Sequence, residues 1–327
     1  MNKVYKLIAL FVMGLLILSC SKDDNKNSIA PKRDYAEQYA DDNDSIVKFL
    51  KTHYMEVVDD ESLPEFGDVT FTEIPTGGSQ VAVWDETADN RKLRTRLVNK
   101  NDITYTVYYI SFREGVGISP CNVDGVYANY KGTLLDGSIF DQSVNPQILF
   151  NLPALGVSGW GEIFPKFKSG TYVSNSNGTV TYDDYGAGVM FLPSGLGYYN
   201  IGQPGIPGYS PLIFSIKLLE IKRLDQDGDG ILSYLEDLNG DGYLYSLGKD
   251  TAGSIIANPD NTDGDITLYT DADAFPDFLD GDDDADRVLT KTEILNPITN
   301  EAYPFADIPT CGGTGNGKKK YLDKSCQ

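Results

Sequence analysis

Between Arg223 and Glu293 the chain carries 19 Asp and Glu against 4 Lys and Arg, so −15 of its formal net charge of −21 sits in that one stretch. A segment this acidic, with few large apolar residues, cannot condense on apolar burial alone; its carboxylates need solvent or cations. The same charge argues against a nucleic-acid partner, because phosphate binding depends on Lys and Arg.

The acids are not scattered. Asp225-Gln-Asp227-Gly-Asp229-Gly230 leads through Ile231-Leu-Ser-Tyr-Leu to Glu236. Asp at positions one, three and five, Gly at six and Glu at twelve is the spacing of an EF-hand calcium loop. Carboxylates at alternating positions converge when the loop winds around an ion, Gly230 permits the sharp turn, and Glu236 closes the shell with both oxygens. Asp282, Asp284, Asp286 and Glu293 repeat the spacing, with Arg287 in place of the Gly. Asp237-Asn239-Asp241-Gly242 is a partial third loop without a closing Glu. Asp260, Asp263, Asp265, Asp271, Asp273, Asp277 and Asp280 resemble the Asp-rich calcium repeats of bacterial surface proteins. Structural Ca²⁺ is the expected cofactor, held by Asp225, Asp227, Asp229 and Glu236 and by Asp282, Asp284, Asp286 and Glu293. The alternative is a solvated acidic linker.

At the other end, Lys3 and Lys6 precede an apolar run, Leu7 to Leu18, that stops at Ser19-Cys20. The pattern is that of a signal peptide, and the run is too short for a transmembrane helix. Cys20 sits as the acylated Cys of a lipobox does, and several acyl chains would hold the mature protein at a bilayer. Ser21-Lys22-Asp23-Asp24 resembles the Lys-plus-acid tag of Bacteroidetes surface lipoproteins. The expected location is therefore the outer membrane, reached through a lipid anchor, with the protein exposed at the cell surface or else at the periplasmic face. Export makes disulfides possible. Of the remaining cysteines, Cys311 and Cys326 flank a Gly- and Lys-rich loop and are candidates to pair, leaving Cys121; pairing of Cys121 with either is the alternative.

Residues 21 to 33 are polar and read as a tether. Ile46, Phe49 and Leu50, then His53 and Met55, follow helical spacing from Tyr35 to Val57. From Val69 the pattern turns to β: Val69, Phe71 and Ile74, then Thr104 to Phe112, Val126 to Leu135 and the largely apolar Leu212 to Ile221, separated by Gly, Pro and Asn.

Four segments in the middle of the chain resemble one family. Asn129-Tyr130-Lys-Gly-Thr-Leu-Leu-Asp136-Gly137-Ser-Ile-Phe140-Asp141 is similar to the strand and turn of the FKBP-type peptidyl-prolyl isomerases. Gly159-Trp160 resembles the opening of their short helix. Pro193-Ser-Gly-Leu-Gly-Tyr198 resembles the loop whose Tyr contacts substrate. Pro204-Gly-Ile206-Pro207 with Leu212-Ile-Phe214 resembles their closing loop and last strand. The resemblance covers residues 102 to 223. It implies an α+β fold: an antiparallel β half-barrel around a short helix, preceded here by an N-terminal helix and followed by the Asp-rich tail. The organisation expected is signal peptide 1–19, tether 20–33, helix and β extension 34–101, isomerase domain 102–223, calcium region 224–293 and a C-terminal tail 294–327.

The resemblance further implies a pocket of Tyr130, Phe140, Asp141, Val157, Trp160, Tyr198, Ile206 and Phe214 with Trp160 as its floor. It implies clients that are Pro-containing polypeptides and a reaction that needs no bound cofactor. Asn129 and Gln203 stand where relatives often carry His, and Ile148 is expected at the pocket wall. An extra segment, about Thr171 to Gly188, reads either as a flap over the pocket or as an enlarged loop. The chain's single His, His53, reads as a packing or surface residue. Two rival readings are a pocket that holds Pro-containing segments without turnover and a calcium-dependent surface module.

Overall fold

The computed structural model describes residues 31–60, 63, 65–144, 148–237, 239–245, 276–311 and 317–326, and the backbone of 248–249 and 255–256. Cys20 with its signal peptide, and Asp260, Asp263, Asp265, Asp271 and Asp273, lie outside the described residues. Among the described residues no helix is long and apolar enough to cross a membrane.

Helix α1 runs from Tyr35 to Thr52. Asp34 caps it, its Oδ1 accepting from the amides of Ala36 and Glu37 at 2.8 and 3.2 Å, which satisfies two of the amides a helix start leaves unpaired. Gln38, Asp42, Ile46, Phe49 and Leu50 are its buried stripe. The helix stops five residues short of the Val57 that its spacing suggests. His53 is already extended, and His53–Val57 forms β1, antiparallel to β2, Val69–Glu73. Met55 and Val57 suit either period, and pairing with β2 decides for the strand.

The remaining strands are β3 Arg94–Lys100, β4 Ile103–Arg113, β5 Gly125–Thr133, β6 Ile139–Ser143, β7 Phe150–Asn151, β8 Thr171–Ser174, β9 Val180–Asp183, β10 Gly186–Leu192 and β11 Leu212–Lys222. A short helix, α2, covers Gly159–Ile163. One antiparallel sheet has the order β3-β4-β10-β11-β5-β6, with β7 also on β5. Both faces of its centre are covered, which is why Gly186–Leu192 is apolar throughout and Leu212–Leu219 is apolar except at Ser215 and Lys217, rather than alternating. On one face Val107, Met190, Leu192, Leu212, Phe214 and Ile216 pack against Trp160 and Ile163 of α2 and against Phe164 and Phe167 beyond it. On the other, Ile110, Phe112, Val189, Phe191 and Ile213 pack against Ile46, Phe49 and Leu50 of α1. Each such side chain, fully buried, stabilises the fold by about 1.5–3 kcal/mol.

The acidic region is docked on this sheet. The Asn122 amide donates to the Gly242 carbonyl at 3.0 Å, and the Asn122 side chain exchanges a reciprocal pair of 2.8 Å hydrogen bonds with the backbone of Leu244. Leu244 and Phe278 pack with Cys121 and Val123. The final stretch closes over the first acidic loop: Ile294, Ile308, Tyr321 and Leu322 bury Ile231. Cys311 and Cys326 form a disulfide with Cα atoms 5.4 Å apart, and Cys121 is a buried free thiol whose burial pushes its pKa up to about 12.

Candidate active site and cation loops

The eight pocket residues expected from the sequence line one cavity of about 380 Å³, together with Phe150, Leu155, Gly156, Gln203 and Pro204. Its floor is the Trp160 indole, 4% exposed. Helix α2 presents it, and aromatic rings stand around it. Tyr130, Phe150 and Phe214 lie 5.1, 5.3 and 5.3 Å away with interplanar angles of 75°, 72° and 89°, the edge-to-face geometry that aromatic quadrupoles favour. Phe140 stands edge-on to Phe214 at 5.5 Å. Gly132 of β5 makes that wall possible: a Cβ there would come within 2.4 Å of the Phe140 ring.

One polar edge interrupts the apolar lining. The Tyr130 hydroxyl donates to Asp141 Oδ2 at 2.6 Å, and Asp141 Oδ1 accepts from the Gln142 amide at 2.9 Å. Burial first, then the Asp141 hydrogen bond and charge, raise the Tyr130 pKa above its ordinary value. Burial, with Asp141 second, does the same for Tyr198. Both phenols therefore stay protonated and able to donate at neutral pH.

Ile148 is not at the pocket wall. It is 66% exposed, and Phe150, held by the pairing of β7 with β5, takes the wall position instead. Gln203 is at the rim, where its backbone bridges to Ile206. Asn129 is not among the pocket residues; it lies opposite Lys217 in the β5–β11 register. The inserted segment is a separate exposed hairpin, β8 with β9, and none of its residues lines the pocket. Its Tyr182 hydroxyl approaches Glu220, six residues along β11 from the pocket's Phe214. His53 stacks on Phe49 with ring centroids 4.0 Å apart, a packing role.

A contributor with no sequence signal of its own comes from α1. Asp42, 2% exposed, accepts from the Ser194 amide at 2.8 Å and its hydroxyl at 2.6 Å, and its other oxygen accepts from Gln38 at 2.6 Å. Ser194 opens the turn that carries Tyr198. Burial raises the Asp42 pKa and these hydrogen bonds partly offset it. Asp42→Ala takes this acceptor from three buried donors, the Ser194 amide, the Ser194 hydroxyl and the Gln38 side chain, at a cost of about 1–3 kcal/mol for each one left unsatisfied. A lower melting temperature is expected, with a loss of turnover on a Pro-containing peptide that the exposed neighbour change Asp41→Ala does not show. Equal turnover for the two variants would remove Asp42 from the site.

The two full acidic loops have matching backbone geometry. Asp225 Oδ2 accepts from the amide of Gly230 at 3.1 Å, and Asp282 Oδ2 from the equivalent amide of Arg287 at 3.0 Å. Gly230 has φ +102° and Arg287 φ +79°, so Arg287 takes the left-handed turn without being Gly, at some strain cost. Asp237 Oδ2 likewise accepts from Gly242 at 2.8 Å. Carboxylate oxygens of Asp225, Asp227 and Asp229 lie within 4.8 Å of one another, as do those of Asp282, Asp284 and Asp286. Buried oxygens of Asp227, Asp229, Glu236, Asp282, Asp284 and Glu293 have no hydrogen-bond partner. Burial first, then the neighbouring Asp carboxylates, push Glu236 up to about 11 and Glu293 to about 8, Lys320 offsetting part of the rise at Glu293. Hard oxygen donors, buried and unpartnered, fit a calcium ion.

Glu162 ties these loops to the pocket. It lies on α2, two residues after Trp160, and its carboxylate pairs with Arg96 at 2.9 Å and accepts from the Tyr245 hydroxyl at 2.7 Å. Its carbonyl accepts from the Tyr243 hydroxyl at 3.0 Å, and the Arg96 guanidinium lies 3.5 Å from the Tyr243 ring centre.

A family model described as BamM C-terminal matches residues 226–318. The FKBP-type peptidyl-prolyl cis-trans isomerase FkpA of Escherichia coli (strain K12) is 30% identical over 144 residues, which is 42% of this chain and 47% of FkpA, so the chain spans about half of that relative. A solved peptidyl-prolyl cis-trans isomerase from Pseudomonas syringae is 25% identical with a TM-score of 0.31, over 39% of this chain and 81% of that one. FK506-binding protein 1A of Aspergillus fumigatus is 36% identical over 108 residues, which is 32% of this chain and 83% of that relative. With most of one relative's length matched at that identity, the chain belongs to the FKBP-type peptidyl-prolyl cis-trans isomerase family.

Proposed function

We propose that the protein is a peptidyl-prolyl cis-trans isomerase acting on Xaa-Pro bonds of exported or surface proteins. The observation that carries this reading is the Trp160 floor with rings edge-on around it and a single polar edge at Tyr130 and Asp141. The reaction makes and breaks no bond. Resonance holds the Xaa-Pro amide planar behind a barrier of about 18–20 kcal/mol. On twisting, the amide loses charge separation, which water stabilises less well. A dry aromatic cavity therefore removes part of the planar form's advantage, and a fit to the twisted form lowers the barrier. Phe140, Val157, Trp160, Ile206 and Phe214 supply that surface. Tyr198 supplies a hydrogen bond to a carbonyl beside the proline, and Asp141 orients Tyr130. A protease-coupled assay on an Xaa-Pro peptide is expected to show cis-to-trans conversion faster than the uncatalysed rate. A rate equal to the uncatalysed one would leave a pocket that binds Pro-containing segments without turnover.

The same proposal places the protein at the outer membrane, held by lipid on Cys20, and gives the acidic loops structural calcium. Cys20→Ala is expected to abolish incorporation of labelled palmitate and release the protein from membranes; palmitate still entering the variant would sink the anchor.

A further inference from the structure

We infer that Asp283 is a ligand of the cation in the first acidic loop, so that this centre is shared between two chain segments. The inference rests on the calcium reading above. Asp229, Glu236 and Asp283 each bring a carboxylate oxygen within 4.8 Å of the other two, and they are 2%, 1% and 1% exposed. Both oxygens of Glu236 and one of Asp229 are buried without a hydrogen-bond partner. Three like charges enclosed together repel in a medium that screens them poorly. Glu236 has no donor to satisfy it, and a hard divalent cation supplies what the cluster lacks. Calcium accepts six to eight oxygens; Asp225, Asp227, Asp229 and Glu236 leave room in that shell for Asp283.

The two loops share their backbone hydrogen bonds and differ in where the side chain at their second position goes. In the first, the Gln226 amide donates to Ser233 Oγ at 3.0 Å; in the second, the Asp283 amide donates to Thr290 Oγ1 at 3.2 Å. The Gln226 side chain leaves the loop to donate to the Val123 carbonyl at 2.7 Å. The equivalent side chain of Asp283 joins Glu236 and Asp229. Its neighbours Asp282 and Asp284 belong to the second loop's own cluster. Adjacent residues thus reach two centres, and a cation in the first loop fastens residues 225–236 to residue 283 while placing Asp282 and Asp284 for the second.

The test uses the full chain in mild detergent, stripped with chelator and titrated with calcium. Asp283→Asn keeps shape and removes charge. It is expected to weaken calcium binding tenfold or more, and its effect with Glu236→Gln is expected to fall short of the product of the two single effects, because both act on one ion. Thermal melts guard against a variant that merely misfolds. In chelator Asp283→Asn removes one of three crowded charges and is expected to melt higher than the parent; in saturating calcium it is expected to melt lower. Calcium affinity within twofold of the parent, independent effects of the two changes, or a higher melting temperature in both conditions each overturns the shared site. A parent chain that takes up no calcium overturns the calcium reading itself and this inference with it.

Discussion

Trp160→Leu is expected to lower kcat/KM on an Xaa-Pro peptide by at least tenfold, and Trp160→Leu combined with Tyr198→Phe to bring it to the uncatalysed rate. The indole is the one surface that Tyr130, Phe150, Phe164 and Phe214 all meet within 5.3 Å. Leu is smaller than an indole and not planar, so it cannot hold those rings apart; the cavity loses its flat floor and admits water. A tenfold fall corresponds to about 1.4 kcal/mol of lost barrier lowering. Truncating a buried Trp also costs stability, about 3–5 kcal/mol for the full change to Ala, which is why Leu is the informative replacement. Turnover is measured well below the variant's own melting temperature. Tyr198→Phe alone removes only the hydroxyl, and its expected effect is on kcat rather than KM if the bond it makes strengthens as the amide twists. Parent-like turnover in the double variant would show that rate enhancement does not come from this cavity.

Removing calcium is expected to melt the acidic region while leaving the isomerase sheet folded. One bound ligand at a hundred times its dissociation constant stabilises by about 2.7 kcal/mol, and for a region of this size each kcal/mol moves a melting temperature by about 4–8 °C, so a downward shift on the order of 10–20 °C is expected for the tail on chelation. The sheet has its own core on both faces and its transition moves much less. It does move, because Tyr243 and Tyr245 contact Glu162 and their departure opens the Arg96–Glu162 pair to solvent, where such a pair contributes at most about 1 kcal/mol. Limited proteolysis in chelator is expected to cut beyond Arg223 and leave a fragment that still isomerises. A melt and a cleavage pattern unchanged by calcium would make the acidic stretch a solvated linker.

The pocket was legible because its residues sit in short motifs whose spacing is set by local turns: Asp136-Gly137 before Phe140, Gly159 before Trp160, Gly197 before Tyr198. Phe150, not Ile148, forms the pocket wall, and the sequence does not separate the two. Ile148, Leu149 and Phe150 are one unbroken apolar run with no alternation to choose a facing residue, and only the pairing of Gly125 and Val126 with Asn151 and Phe150 does so. Asp42 was hidden by distance, since its partner Ser194 is 152 residues away. The only local trace is a Gln38-Asp42 step inside an otherwise apolar stripe. Arg287 showed the opposite problem: the loop accepts a non-Gly residue at positive φ because its flanking Asp side chains hold the backbone there, which spacing rules do not reveal. Asp283 sits in a run of three Asp residues, and nothing in such a run tells which centre each one faces.

The cover that α1 gives the sheet bears on where the molecule can be divided. A piece of chain beginning at residue 102 keeps every pocket motif, yet it has neither Asp42 to hold the Tyr198 turn nor Ile46, Phe49 and Leu50 to roof Val189, Phe191 and Ile213. It also lacks β3, so β4 becomes a bare edge with a row of unpaired amides and carbonyls open to other chains. The smallest stretch that closes both faces of the sheet and completes the pocket starts at the Asp34 cap and runs through β11 to Lys222.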